Sequence, residues 1–441
     1  VEVANQAELV LVCVGLPEIA ESEGFDRTRL SLPKQHIALV ESICKVHSNV
    51  VVILSNGGIV EIPSSFVNGA SAILECFLLG QAGGEAMADI LFGMVSPSGK
   101  LPETIPISAS DIPSDAYFPG TRDTVEYREG LDVGYRFFNT KNIPVRFPFG
   151  YGLSYTTFEY RDLQVEIRKD EEDAKQVYVS LDIRNAGTLD AKEVVQLYIH
   201  PVNSTVYRPF HELKEFQKIE LKPKETKKVD FVLNERSFAL FDIGFHDWVV
   251  ESACTFEIQV GSSSRDIHLS KTIQFQTGKD TTKIARQSYP LEEEKQNNTS
   301  VSMIDDEVFA KRFGSQYQVV LDMIAEERKK ASNPDFERKK PIDRNTLLKD
   351  ASKRSLIAKL LMFVTIRVAG KEVKEGPSKQ RELRMIRANV ENLPLRNLVL
   401  FSQGAISFSL LDRLILLMNG KYMRCLGRVR RKPNEERERL L

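Results

Sequence analysis

Residues Leu9–Gly15 read LVLVCVG, an unbroken apolar run that ends in glycine, with Pro17 just beyond it. A run of this length without polar alternation is what a strand buried in a parallel sheet requires. It also constrains the chain downstream, because parallel partners must be joined by long crossovers, usually helices. The sequence meets that demand. A helical pattern runs from Pro33 to about His47, with Ile37, Leu39, Val40, Ile43 and Cys44 as its apolar set. VVVIL at Val50–Leu54 and the stretch Ala70–Cys76 read as further strands, with a short helix or turn at Pro63–Val67 between them. A helix at Glu85–Phe92 comes next, with Gly93 in C-cap position. Residues 1–108 are therefore expected to be a partial parallel-sheet α/β sandwich. Val1–Ala4 reads as the end of a helix, so the chain is expected to begin inside this domain, which makes it an N-terminally truncated fragment.

The loop leaving the first strand holds Glu21, Glu23, Asp26 and Arg27 within seven residues. The carboxyl ends of strands are where open α/β sheets bind ligands and do chemistry. A carboxylic acid crowded by like charge has a raised pKa and can act as a general acid near neutral pH. Arg27 could neutralise one neighbour and fix the others. The same residues also suit a solvated acidic loop with a surface ion pair. Gly80–Gly84 precedes a helix, as in nucleotide sites, but neither Gly-x-Gly-x-x-Gly nor a Walker lysine is present. Tight turns account for those glycines equally well.

Beyond the sheet, residues 109–157 alternate aromatics and glycines, as in Gly134–Phe138 and Phe149–Phe158. This suits a linker pinned by its rings, or a sugar-stacking platform. Residues 158–276 then show strand-like runs at Leu163–Ile167, Val177–Ile183, Val194–Ile199, Phe216–Leu221, Lys228–Leu233 and Phe256–Val260. Short strands with turn signals between them predict a β-sandwich, with Trp248, the sole tryptophan, packed between its sheets. Residues 277–344 read as a polar linker, with Asp305–Phe313 a possible short helix. Residues 345–425 read as a helical extension and 426–441 as a basic, disordered tail. Ser409–Asp412 has the spacing of a capping box ahead of a helix closed by Asn419 and Gly420.

Several classes are excluded or left without support. No run of 18 apolar residues exists, so no membrane span is expected. The five cysteines, at 13, 44, 76, 254 and 425, have no metal spacing, and Cys13, Cys44 and Cys76 are expected to be buried thiols. No metal, cofactor or nucleic-acid partner is called for, and a homo-oligomer stays open. The sequons at Asn203, Asn297 and Asn298 carry little weight, and the compartment stays open. Residues 1–280 carry thirteen excess negative charges and residues 281–441 twelve excess positive ones. That asymmetry suits acid-on-base docking within the chain.

A set of short motifs occurs in order: Glu23–Arg27 with Leu30–Pro33, Gly80–Ala86, Asp89–Gly93, Pro97–Pro102, Gly134–Phe138 and Phe149–Tyr155. Asn185–Gly187, Val194–Tyr198 and Glu212–Phe216 continue it. Together they resemble the C-terminal portion of glycoside hydrolase family 3, the β-glucosidase and β-xylosidase class. The resemblance covers residues 1–276, with a looser likeness to helical extensions seen in some members. It implies an α/β sandwich followed by a fibronectin type III-like domain, and a barrel preceding both. It also implies a retaining, exo-acting β-glycosidase acting on β-linked oligosaccharides or aryl glycosides. The family's acid/base falls on Glu23, with Glu21 as the fallback and Asp26 and Arg27 in support. The family's nucleophile sits in a Ser-Asp-Trp motif that this chain does not contain. The fragment alone is therefore expected to be inactive. The alternative is a non-catalytic carbohydrate-binding or assembly protein built from the same domains.

Overall fold

The computed structural model describes residues 1–22, 26–115, 117–120, 125–169, 175–242, 244–277, 281, 341–376, 379–402 and 404–421. These residues fall into two compact units. The first is drawn from 1–16, 29–118 and 126–281. The second is drawn from 17–28, 119–125 and 341–421.

The first unit begins with a parallel sheet. Helix α1 (Glu2–Asn5) leads into strand β1 (Val10–Gly15), which pairs in parallel with β2 (Val50–Ser55). On its far side β2 pairs with β3 (Ala72–Glu75), giving the order β1-β2-β3. The crossovers are α2 (Lys34–Cys44) and α3 (Ser64–Gly69). Each comes after a proline, Pro33 or Pro63, whose fixed φ suits the entry into a helix. Val40 and Ile43 of α2 and Phe66 of α3 share one core with Val12, Val14, Val50, Val52 and Leu54. Helix α4 (Gly83–Leu91) comes after β3.

The apolar run of β1 is not buried on both faces. Val12 and Val14 point into the core, while Leu11 and Cys13 alternate to the other face and stay exposed. This corrects the expectation of a buried Cys13. Cys44 and Cys76 are only half-buried, and Cys254 is the buried thiol among the described cysteines.

Strands β4 (Ile105–Pro106) and β5 (Val145–Phe147) pair with each other, with α5 (Tyr135–Thr140) between them in sequence. The stretch read as a linker therefore contributes its own strand and helix.

The sandwich comes next. Strands β6 (Phe158–Lys169), β7 (Lys175–Asn185) and β10 (Thr226–Leu233) form one antiparallel sheet in the order β10-β7-β6. Strands β8 (Ala191–Pro201), β9 (Glu212–Leu221), β13 (Thr255–Ser263) and β14 (Asp266–Gln274) form the other, ordered β14-β13-β8-β9. Alternation along β7 buries Val177, Val179, Leu181 and Ile183, which meet Val195, Leu197, Ile199, Phe256 and Ile258 of the facing sheet. Each such side chain stabilises the fold by roughly 1.5–3 kcal/mol through burial. Strand β14 escapes the sequence reading because as an edge strand it buries little and reads as polar. Trp248 does not pack between the sheets. It lies on a separate hairpin, β11 (Leu240–Asp242) with β12 (Asp247–Val249), 39% exposed, edge-on to Phe241 and covered by the Arg236 guanidinium.

The aromatic stretch packs on the outer face of the four-stranded sheet. Gln196 and Tyr198 point outward from β8 yet are buried. Gln196 Nε2 donates to the Gly150 carbonyl (3.1 Å) and the Ser262 carbonyl (2.6 Å), and the Tyr198 hydroxyl donates to Gln196 Oε1. Gly150 sits at φ +79°, and a Cβ there would lie 2.2 Å from Gln196 Oε1, so only glycine fits. Tyr135 stacks on Phe149 with ring centroids 4.5 Å apart, and its hydroxyl accepts the Leu213 N–H. The ring contacts here pack the chain against itself. Lys100 adds an ion pair to the buried Glu193 of β8 (3.2 Å), which also accepts from the Tyr160 hydroxyl (3.0 Å). Burial pushes the Glu193 carboxyl pKa up, and the lysine opposes that.

His211, buried just before β9, is kept neutral chiefly by its burial. Arg265 Nε donates to Asn139 Oδ1, which turns the Asn139 amide N–H toward His211 Nε2 (2.9 Å). Nε2 must then accept, so Nδ1 carries the proton and donates to Gln259 Oε1 (2.8 Å). Burial lowers its pKa from 6.5 to about 4, the Gln259 hydrogen bond opposes that fall, and the His200 and Arg265 charges add to it.

The second unit is built on α6 (Leu348–Arg354), α7 (Leu356–Ala369), α8 (Lys379–Glu391), α9 (Asn397–Phe401) and α10 (Phe408–Met418). Leu348, Ala351, Ala358, Val390, Leu395, Leu398 and Leu411 are buried together in its core. Helix α10 is capped by Ser407, whose Oγ accepts the Leu410 N–H, and not by Ser409, which lies within the first turn. The apolar face begins at Phe408, so the cap falls one residue before it. The Asp305–Phe313 helix, the linker over 282–340 and the basic tail lie outside the described residues.

Two outcomes are expected. Unfolded His211 titrates near 6.5 and folded His211 near 4, so between those values the unfolded chain binds more protons. Stability should therefore be lost as pH falls from 6.5 to 4, and His211→Gln should flatten that part of the curve of unfolding midpoint against pH. Lys100→Met should cost about 3–5 kcal/mol in urea unfolding by stranding a buried carboxylate, while Lys100→Met with Glu193→Gln should cost less.

Candidate functional site

The carboxyl end of the sheet is set by backbone contacts. Gly15 closes β1 against β2 so tightly that a Cβ would stand 1.8 Å from the Ser55 carbonyl oxygen. Leu16 N–H donates to that same oxygen (3.2 Å). From the other side His36, in the first turn of α2, donates from Nδ1 to the Gly15 carbonyl (3.0 Å). The strand is thus pinned where the chain leaves it. Next along, Asn56 is fully buried. Its amide donates to the Gly58 carbonyl (2.8 Å) and to Glu75 (3.3 Å). Glu75 Oε1 accepts the Phe77 N–H (3.0 Å), which helps Phe77 hold φ +49°. Each of the three strands therefore ends in a defined polar turn.

The exit loop belongs to the second unit. It starts with a short 3₁₀ turn, Glu18–Ala20, stabilised by Glu21 N–H and Ser22 Oγ both donating to the Glu18 carbonyl. The Glu18 carboxylate accepts from the Arg381 guanidinium of α8. Of the residues singled out in the sequence, Glu21 is half-buried, Asp26 is exposed and Arg27 is half-buried. Glu21 and Arg27 both engage partners. Glu23, with Gly24 and Phe25, lies outside the described residues. Among the described residues no cluster of histidine, cysteine, aspartate and glutamate could hold a metal ion, and no helix is long and apolar enough to cross a membrane.

Three features were missed in the sequence. His36 reads as an ordinary helical residue, and only its position in the first turn after Pro33 hints at a capping role. Asn56 is half visible, in a turn of polar and glycine residues after an apolar run. Arg381 and Glu18 are 363 positions apart, and nothing but the overall charge asymmetry connects them.

Residues 1–155 match the model of the glycosyl hydrolase family 3 C-terminal domain, and residues 193–264 match that of the fibronectin type III-like domain. The chain carries the C-terminal domain of glycosyl hydrolase family 3. The seven-stranded sandwich after it is a fibronectin type III-like domain. The chain is 38% identical over 416 residues to the thermostable β-glucosidase B of Acetivibrio thermocellus, covering 94% of this chain and 47% of that protein. It is 46% identical over 273 residues to an exo-α-(1→6)-L-arabinopyranosidase of Bifidobacterium breve, covering 62% of this chain and 35% of that one. Among solved structures, a family 3 β-glucosidase of Bifidobacterium adolescentis superposes with a TM-score of 0.58 at 44% identity, over 62% of this chain and 40% of its own. The chain thus spans less than half the length of each of these relatives. The family 3 domain model runs on to residue 155, which takes in α5, β5 and the ring contacts described above.

Gly15→Ala is expected to force β1 and β2 apart at the exit of the family 3 sheet. Overpacking of this kind typically costs about 1–3 kcal/mol, read as a lower urea midpoint. Amide exchange should rise at Gly15, Leu16 and Ser55 first.

Proposed function

We propose that this chain is the proton-donating part of a retaining, exo-acting β-glycosidase, and that Glu23 is its general acid/base. The observation that carries the reading is the motif Glu23-Gly24-Phe25-Asp26-Arg27, which lies on the loop leaving a strand whose end is pinned by Gly15 and His36. A family 3 enzyme needs its acid on a loop of this domain, and a fixed strand end is what gives such a loop a defined origin.

In the reaction, a protonated Glu23 would give its proton to the glycosidic oxygen as the bond to the anomeric carbon breaks. A second carboxylate attacks that carbon from the opposite face, forming a glycosyl-enzyme. Glu23, now ionised, takes a proton from water, whose oxygen attacks the same carbon and releases the sugar. The two carboxyl groups stand roughly 5–5.5 Å apart in such enzymes. The attacking carboxylate would come from a barrel preceding this portion, since no Ser-Asp-Trp motif occurs in the sequence. Asp26 and Glu21, as like charges, would help keep the acid protonated, and Arg27 would hold the group in place. Glu21 is the fallback donor. The substrate class is β-linked oligosaccharide or aryl glycoside. The relatives bear the names of a β-glucosidase and an α-L-arabinopyranosidase. Sharing this portion across both names fits a part that supplies the proton, with the choice of sugar made elsewhere.

Chain 1–441 alone is expected to give no turnover of an aryl β-glucoside. Turnover that Glu23→Gln abolishes would refute that. Fused behind a family 3 barrel, the chain should be active, and Glu23→Gln should then lower kcat/KM on a β-linked disaccharide by about 10²–10⁴. The loss should be far smaller on a dinitrophenyl glucoside, whose leaving group departs without a proton. Equal losses on both substrates would remove Glu23 from the acid role.

A further inference from the structure

The exit loop and helix α8 are opposite in charge. Residues 17–28 hold four acidic side chains against one basic one, and Lys379–Glu391 holds four basic side chains against two acidic ones. The loop is continuous with β1, yet it falls within the compact unit of the helices. There Arg381 donates to the Glu18 carboxylate. Glu18 opens the 3₁₀ turn, and its carbonyl accepts from both Glu21 N–H and Ser22 Oγ. Fixing the Glu18 side chain therefore fixes the turn from which the rest of the loop departs.

We propose that the helical unit is a clamp on this loop and that Arg381 is a positioning residue, holding the turn Glu18–Ala20 and so setting where the acidic stretch after it begins. Its consequence for catalysis rests on the reading of Glu23 as the acid. The clamp itself does not. The cation sits on a folded helix whose Val390 is buried in the core of the unit, so its backbone is rigidly based. The anion sits on a loop that opens with a single short turn. Ordering a loop costs conformational entropy, and an ion pair to a packed helix offsets part of that cost at one point.

An exposed pair of this kind adds little to global stability and is weakened by salt. The test is therefore local. Hydrogen–deuterium exchange of peptides spanning residues 17–28 should be about two- to fivefold faster in Arg381→Glu than in the unaltered chain, with the thermal midpoint within a degree or two. The charge swap Glu18→Arg with Arg381→Glu should restore the slower exchange. Added sodium chloride should speed exchange in the unaltered chain and leave Arg381→Gln unchanged. The clamp is overturned if Arg381→Glu and Arg381→Gln leave exchange over 17–28 as it was, if the swap fails to restore it, or if protection is lost equally across all helices. Should exchange respond as expected while Glu23→Gln spares turnover in the barrel fusion, the clamp stands and the acid assignment fails. The two ideas therefore separate.

Discussion

The close approach of Gly15 to the Ser55 carbonyl is the contact on which the candidate site depends. Parallel strands are evenly hydrogen-bonded along their length, but nothing in the pairing itself says where a strand must stop. Here the stop is steric and polar together. The missing side chain of Gly15 lets β2 close in, Leu16 takes the Ser55 oxygen, and His36 takes the Gly15 oxygen. A loop that begins from a fixed point has a limited reach, and limited reach is what makes a loop carboxylate usable in chemistry.

The second constraint is that the α/β part and the sandwich share one folded body. Tyr135, Phe149, Gly150, Gln196 and Tyr198 interlock through stacking and hydrogen bonds, and Lys100 reaches the buried Glu193. A buried ion pair contributes little net stability, because desolvation offsets the attraction. What it enforces is register, since only one seating of the chain pairs both charges. The sequon at Asn203 fits the same structural pattern. Its Ser204 and Thr205 hydroxyls donate to the buried Glu251, so those residues are explained by a turn.

The α/β order and the sandwich were readable because both rest on periodicity. Continuous apolar runs mark parallel strands and period-two alternation marks strands with one wet face, and β1, β2, β7 and β10 obey those rules. The misses came where burial and hydrophobicity part company. Cys13 lies in an apolar run but on the exposed face, and Trp248 lies on a surface hairpin beside Arg236. Strand β14 is an edge and reads as polar. Ser407 and Ser409 are equally plausible caps by spacing, and only the start of the helix separates them. The acidic loop was legible as a cluster of charges next to a strand end. Its partner Arg381 was not, because no local rule links residues so far apart.

If Arg381 clamps the loop as proposed, the C-terminal helices have a role beyond their own folding. Their core residues explain how the unit folds but not why it accompanies a family 3 domain. A loop is drawn from the less stable end of a structure, and yet a general acid carried on one, as proposed for Glu23, must be held to within about 0.5 Å of its productive geometry. Those demands conflict unless something outside the loop shares the cost of ordering it. The sheet can define only the loop's origin. A basic helix packed in its own core can hold a second point. Within the helical unit, the proposed clamp would answer part of the charge of an acidic stretch that repels itself in isolation.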